Sequence, residues 1–144
     1  PRSSSAASDV YKRQPIYGDG KNIRDWLYVR DHCQAIIKVL EYGNPGETYN
    51  IGGNNEITNL DLVSHIFKEI EKYYHAKDFG FSTYFDLVEF VPDRPGHDKR
   101  YAIDSKKIKN DLGWQPKETF ESGITKTVKW YLENTSWISN LRED

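Results

Sequence analysis

The chain of 144 residues has a single cysteine, Cys33, and no methionine. One thiol excludes an intrachain disulfide and any cysteine-rich metal site. With no secretory leader visible, a reducing cytoplasmic setting is the expectation. Long apolar runs are missing too. The longest spans residues 26–29, WLYV, far short of a membrane span, so no membrane association is expected. There is no excess of one charge: 20 basic residues face 22 acidic ones, a net of −2. Non-specific nucleic-acid binding needs a basic field, and no nucleic-acid partner is expected. A dinucleotide fingerprint is lacking as well, since Gly18-x-Gly20 has Ile, not Gly, at position 23. What is abundant is aromatic: ten Tyr, four Trp and six Phe, suited to a packed core and to flat binding surfaces.

Residues 1–14, PRSSSAASDVYKRQ, differ from the rest in being rich in Ser and Ala and showing neither helical nor strand period. They read as a foreign or disordered leader, an adaptor or a mistranslated end, and are set aside from fold reasoning. From Pro15 onward, short strands alternate with amphipathic helices. Residues 23–29 read as a strand, with Asp31 as the cap of a helix in which Ala35, Ile36, Val39 and Leu40 recur at helical spacing. Residues 48–51 are a short strand ended by Gly52-Gly53. Thr58 and Asp61 form an acidic capping box, followed by the apolar stripe Leu60, Val63, Phe67, Ile70 and Tyr74. Residues 87–91 and 100–103 read as strands. Asp104 and Thr119 cap the last two helices. Such alternation means an α/β or α+β arrangement.

Two segments carry chemistry. In VPDRPGHDKRY, residues 91–101, Pro95-Gly96 forces a turn with Arg94 and His97 on either side, and Lys99 and Arg100 follow. Three fixed cations and a histidine suit a polyanion, and an arginine fork orients a phosphate as well as attracting it. A structural turn whose arginine pairs with Asp93 or Asp98 fits the spacing equally. In PIYGDGKNIRDW, residues 15–26, two glycines allow a tight turn, Tyr17 offers a flat face, and Arg24 leads into a strand. Taken alone, this is also a hairpin turn with an exposed arginine. Other features are weaker. Tyr73-x-x-x-Lys77 matches a dehydrogenase pair of a kind that chance supplies about once in such a composition. Cys33 reads as a small buried residue. His65 and His75 make no metal spacing with cysteine, and no metal is expected.

The segments IRDWLYVRDH, GETYNIGGNNE, DRPGHDKRYAIDS, LGWQP and FESGITKTVKWYLEN, in that order, resemble the dTDP-glucose 4,6-dehydratases, nucleotide-sugar members of the extended short-chain dehydrogenases. The likeness runs from Pro15 to about Asn140. It implies an α/β chain from the C-terminal part of such an enzyme: the last Rossmann strand and helix elements, about residues 26–51, plus most of a small α+β substrate-binding domain, within a nucleotide-sugar binding portion at 15–144. Family enzymes hold NAD on an N-terminal Rossmann domain. They oxidise the sugar of dTDP-glucose at C4, eliminate water across C5 and C6, and return the hydride to C6. The resemblance places the catalytic residues and the NAD site upstream of this chain, so neither is expected in it. A related epimerase or decarboxylase, and a non-catalytic nucleotide-sugar binding module, are the alternatives. The carried-over site is the nucleotide side: Pro15, Ile16 and Tyr17 at the thymidine, Arg24 on the diphosphate, Asn59, and the loop of Asp93, Arg94, Pro95, Gly96 and His97. Arg24 and Arg94 are expected to converge on one pyrophosphate, and the N–H groups around Asn59 to favour phosphate. The family forms homodimers, through contacts not expected here. Apolar faces meant for a missing sheet should be exposed.

Overall fold

The computed structural model describes residues 13–140. Most of the segment read as a leader lies outside the described residues. Its last residue, Gln14, opens the first strand. The strands are β1 (Gln14–Tyr17), β2 (Ile23–Asp25), β3 (Glu56–Thr58) and β4 (Val88–Val91). The helices are α1 (Val29–Tyr42), α2 (Asn59–Glu71), α3 (Lys106–Leu112), α4 (Phe120–Glu133) and α5 (Thr135–Asn140). Two short 3-10 helices, Ala76–Phe79 and Tyr84–Leu87, precede β4.

The chain divides into two compact units. Among the described residues, one contains 13–22 and 58–99, the other 23–57 and 100–140. In the first, β1 and β4 pair in parallel, with Gln14 opposite Val88 and Tyr17 opposite Val91. Pro15 stands second in this strand, near its start, where its missing N–H costs the ladder least. The helix α2 is capped by Thr58, whose Oγ1 accepts from the Asp61 N–H at 3.0 Å, but the expected reciprocal box does not close: Asp61 Oδ2 accepts from the Thr58 hydroxyl at 2.7 Å instead of from its backbone N–H. Phe67 of its apolar stripe packs on the 3-10 turn, stacked with Tyr84 and edge-on to Phe85.

In the second unit, β2 pairs with β3. A core forms from Ala35, Ile108 and Trp114, with Leu27, Val39, Tyr49, Ile51 and Leu112 packed around it. Phe120 and Val128 of α4 are buried as well. Thr119 caps α4 through a reciprocal pair with Ser122. No helix among the described residues is long and apolar enough to cross a membrane.

Several expectations for this unit need correction. The strand of residues 23–29 ends at Asp25, because Val29 already begins α1. Asp31 is not the cap of α1. It lies in the first turn, 3 % exposed, and its Oδ2 accepts from the N–H groups of Lys117 and Glu118 at 3.1 and 2.9 Å. A carboxylate inside the turn thus pins the loop that leads into α4. The apolar spacing along α1 splits between two surfaces: Ala35 and Val39 join the core, whereas Ile36 and Leu40 are exposed. Exposed apolar side chains, as expected from the resemblance, therefore do occur on α1. Cys33 is exposed, not buried, because it falls off the Ala35–Val39 line. Residues 48–51 form no strand among the described residues; without a ladder partner, Tyr49 and Ile51 simply pack on the core. Of the strand expected at 100–103, only an isolated bridge from Arg100 to Ile23 forms. Ser105, not Asp104, is the cap position of α3, and Asp104 Oδ1 accepts from the Lys106 N–H.

Candidate functional site

The parallel pairing of β1 with β4 explains how two segments 74 residues apart come to lie side by side. Both strands end in the same direction, so the turn after Tyr17 and the loop after Val91 emerge together. The Gly18 N–H extends the ladder, donating to the Val91 carbonyl at 2.9 Å. Gly18 is needed here twice over. Its φ is +60°, and a Cβ would stand 3.1 Å from Asp93 Oδ2.

The DRPGH loop is the turn its sequence predicts. Gly96 has φ +71°, and the His97 N–H donates to the Arg94 carbonyl at 3.2 Å. Proline followed by a positive-φ glycine is the type II pattern. The Arg94 guanidinium does not pair with Asp93 or Asp98. It lies over the Tyr17 ring, 5.2 Å from the centroid. Asp93 is used locally instead, its Oδ1 accepting the Arg94 N–H at 2.8 Å and lying 2.7 Å from His97 Nδ1. The His97 contact, helped by the Arg94 N–H and charge, holds the Asp93 carboxyl below its ordinary pKa. The His97 side chain is 8 % exposed.

Asn22, which the sequence reading did not single out, joins these pieces. It is 6 % exposed. Its side-chain amide lies 3.3 Å from His97 Nδ1 and donates to the Asp98 carbonyl at 3.4 Å. Its own carbonyl accepts from the Asn59 N–H at 3.0 Å. Only burial marks this residue, and burial of one asparagine cannot be read from spacing.

Two expectations change. The N–H groups at the start of α2 are not a phosphate cradle: those of Asn59, Leu60 and Asp61 go to the Asn22 carbonyl, the Gly20 carbonyl and Thr58 Oγ1. Any role for Asn59 in binding rests on its side chain. Nor is Arg100 a further cation of the loop. It belongs to the other unit and forms a two-pronged pair with Glu56, at 2.5 and 2.8 Å.

Of the carried-over residues, Pro15, Ile16, Tyr17, Asp93, Arg94, Pro95, Gly96, His97 and Asn59 all lie in the first unit. Ile16 is buried there, while Tyr17 is 43 % exposed. Arg24 lies in the second unit, in β2, where its Nη1 donates to the Ile23 carbonyl at 2.7 Å and its guanidinium sits 4.2 Å from the centre of the Tyr101 ring.

The family model described as GDP-mannose 4,6 dehydratase matches residues 2–127. The chain belongs to this family. The match begins at residue 2, within the Ser- and Ala-rich segment. The chain is 55 % identical over 132 residues to a dTDP-glucose 4,6-dehydratase of Escherichia coli, covering 92 % of this chain and 36 % of that protein. It superposes on the dTDP-glucose 4,6-dehydratase of Bacillus anthracis, solved in complex with NAD, with a TM-score of 0.74 and 45 % identity, over 92 % of this chain and 38 % of the other. The NAD-bound dTDP-glucose 4,6-dehydratase of Streptomyces venezuelae gives 0.76 and 37 %, with the same coverage. The mixed α/β fold is thus that of part of an extended short-chain dehydratase. The chain spans about a third of the length of the relatives it matches.

Proposed function

We propose that the chain is the nucleotide-binding side of a dTDP-glucose 4,6-dehydratase. In this reading the whole enzyme converts dTDP-glucose to dTDP-4-keto-6-deoxyglucose and water with bound NAD, as a cytoplasmic homodimer. The observation that carries the reading is the meeting of Tyr17 and the Arg94 loop at the ends of two parallel strands. A nucleoside diphosphate needs a flat partner for the base and forked cations for the phosphates. Tyr17 and Arg94 offer both from one surface. Asp93 and His97 hold the turn that presents the guanidinium, and Asn59 and Arg24 are the further polar contacts. Pro15 and Ile16 set the strand from which Tyr17 projects. The domain assignment goes with this reading: about residues 26–51 complete a Rossmann domain, and the remainder serves the substrate.

NAD does not fit the residues of this chain. Gly18 and Gly20 serve the turn against Asp93 and Leu60, and no third glycine follows at the fingerprint spacing. The cofactor supplies hydride transfer from a site elsewhere in the enzyme. The residues here bind and orient the nucleotide.

Calorimetric titration of the full chain with dTDP, UDP and GDP tests the reading. Tighter binding of dTDP than of the other two is expected. A preference for UDP or GDP would move the chain to a neighbouring nucleotide-sugar enzyme, and no nucleotide binding at all would end the proposal.

A further inference from the structure

Both arginines assigned to phosphate rest on tyrosine rings. Arg94 lies over Tyr17, which already belongs to the site, and Arg24 lies over Tyr101, which does not. The second pair is the closer, at 4.2 Å against 5.2 Å. Within its unit, Arg24 is held from two directions. Its Nη1 donates to the Ile23 carbonyl at 2.7 Å, and the Tyr101 N–H donates to that same carbonyl at 3.1 Å. One backbone oxygen therefore ties the arginine and its ring together. The neighbouring backbone is fixed as well, since Arg100 bridges to Ile23 and its side chain forks onto Glu56.

The choice of an aromatic partner has a physical consequence. A ring face attracts the guanidinium through its quadrupole. It also restricts a long side chain whose rotamer freedom would otherwise be lost on forming any complex.

We propose that Tyr101 is a positioning residue for Arg24, holding its guanidinium on the ring face in the pose that meets the ligand diphosphate. This rests on the reading of the chain as a dTDP-sugar binder. Tyr101 itself need not touch the ligand.

The test is titration of the full chain, and of its Tyr101→Phe, Tyr101→Leu and Arg24→Ala variants, with dTDP and with thymidine. Phenylalanine keeps the ring face, so Tyr101→Phe is expected to bind dTDP within twofold of the unaltered chain. Tyr101→Leu is expected to weaken dTDP by roughly three- to thirtyfold, to leave thymidine unchanged, and to have no further effect once Arg24 is alanine. A merely structural role would weaken both ligands alike and persist without Arg24. If Tyr101→Leu binds dTDP normally while Arg24→Ala does not, the role of Tyr101 is overturned and the functional reading stands. If Arg24→Ala also binds normally, or the unaltered chain binds no dTDP, the reading of Arg24 fails and takes this proposal with it. A measurement without ligand checks the contact itself. The Arg24 Nε–H resonance should shift in Tyr101→Leu but hardly in Tyr101→Phe, and an unmoved resonance in the leucine variant would overturn the proposal.

Discussion

The two units are held together differently. The one built from residues 23–57 and 100–140 has the apolar interior: Ala35, Ile108, Trp114, Phe120 and Val128 are buried in it. The one built from residues 13–22 and 58–99 buries only Ile16 and Ala76 among its apolar side chains, and no residue of α2 is fully buried. Its order comes from a short parallel ladder, glycine turns and the contacts among Asn22, Asp93 and His97. Nearly all the candidate binding residues sit in this second kind of environment. Polar groups that must meet a ligand cannot also be committed to a dry core. They are held by hydrogen bonds along turns, which fix direction but bury little area.

That contrast can be broken by experiment. The largest effect is expected from Ile108→Ala. Ile108 is fully buried among Ala35 and Trp114, and its truncation should cost about 2–5 kcal/mol in denaturant unfolding. A loss below about 1 kcal/mol would mean that the core is not what holds this unit. Next is Arg94→Ala, which should weaken dTDP binding by about 2–4 kcal/mol while leaving the unfolding midpoint nearly unchanged. Arg94→Lys should recover only part of that, because the fork is gone. Combining Arg94→Ala with Arg24→Ala in a double-mutant cycle reads whether the two act on one pyrophosphate. A smaller effect is expected for Asp31→Ala, which strands the N–H groups of Lys117 and Glu118. A cost of about 1–3 kcal/mol should appear in thermal unfolding, and binding should not change.

The smallest effect concerns pH in the loop unit. Asp93 has its pKa lowered, chiefly by His97. A carboxyl with a depressed folded value stabilises the loop above its unfolded pKa, and the contribution is lost as pH falls through the lower, folded value. Hydrogen exchange at the Arg94 and His97 amides should therefore stay slow at mildly acidic pH and quicken only below the ordinary aspartate range. Quickening near neutral pH would place the control elsewhere.

Much of the local structure was legible because its causes are local. Thr58 and Thr119 cap helices through hydroxyls three residues from their partners. Pro95-Gly96 turns the loop because only glycine takes that φ without strain. Misreadings arose where a residue had a distant alternative. Asp31 had the form of a cap, yet it satisfies two amides 86 and 87 positions away. Arg100 looked like a phosphate ligand, yet Glu56, 44 positions back, occupies it. The first amides of α2 looked available, yet two of them are taken by the Asn22 and Gly20 carbonyls.

By itself the sequence determined the type of each long helix, the turn at Pro95-Gly96, and the residue kinds suited to a nucleoside diphosphate. Propensity, capping and side-chain chemistry act over a few residues and can be read in order along the chain. Only the tertiary structure decided that Tyr17 and Arg94 meet, that Asn22 links His97 to Asn59, and that Arg24 rests on Tyr101. Those pairings depend on parallel register and on which buried polar group finds which partner, and neither is written in the spacing of residues along the backbone.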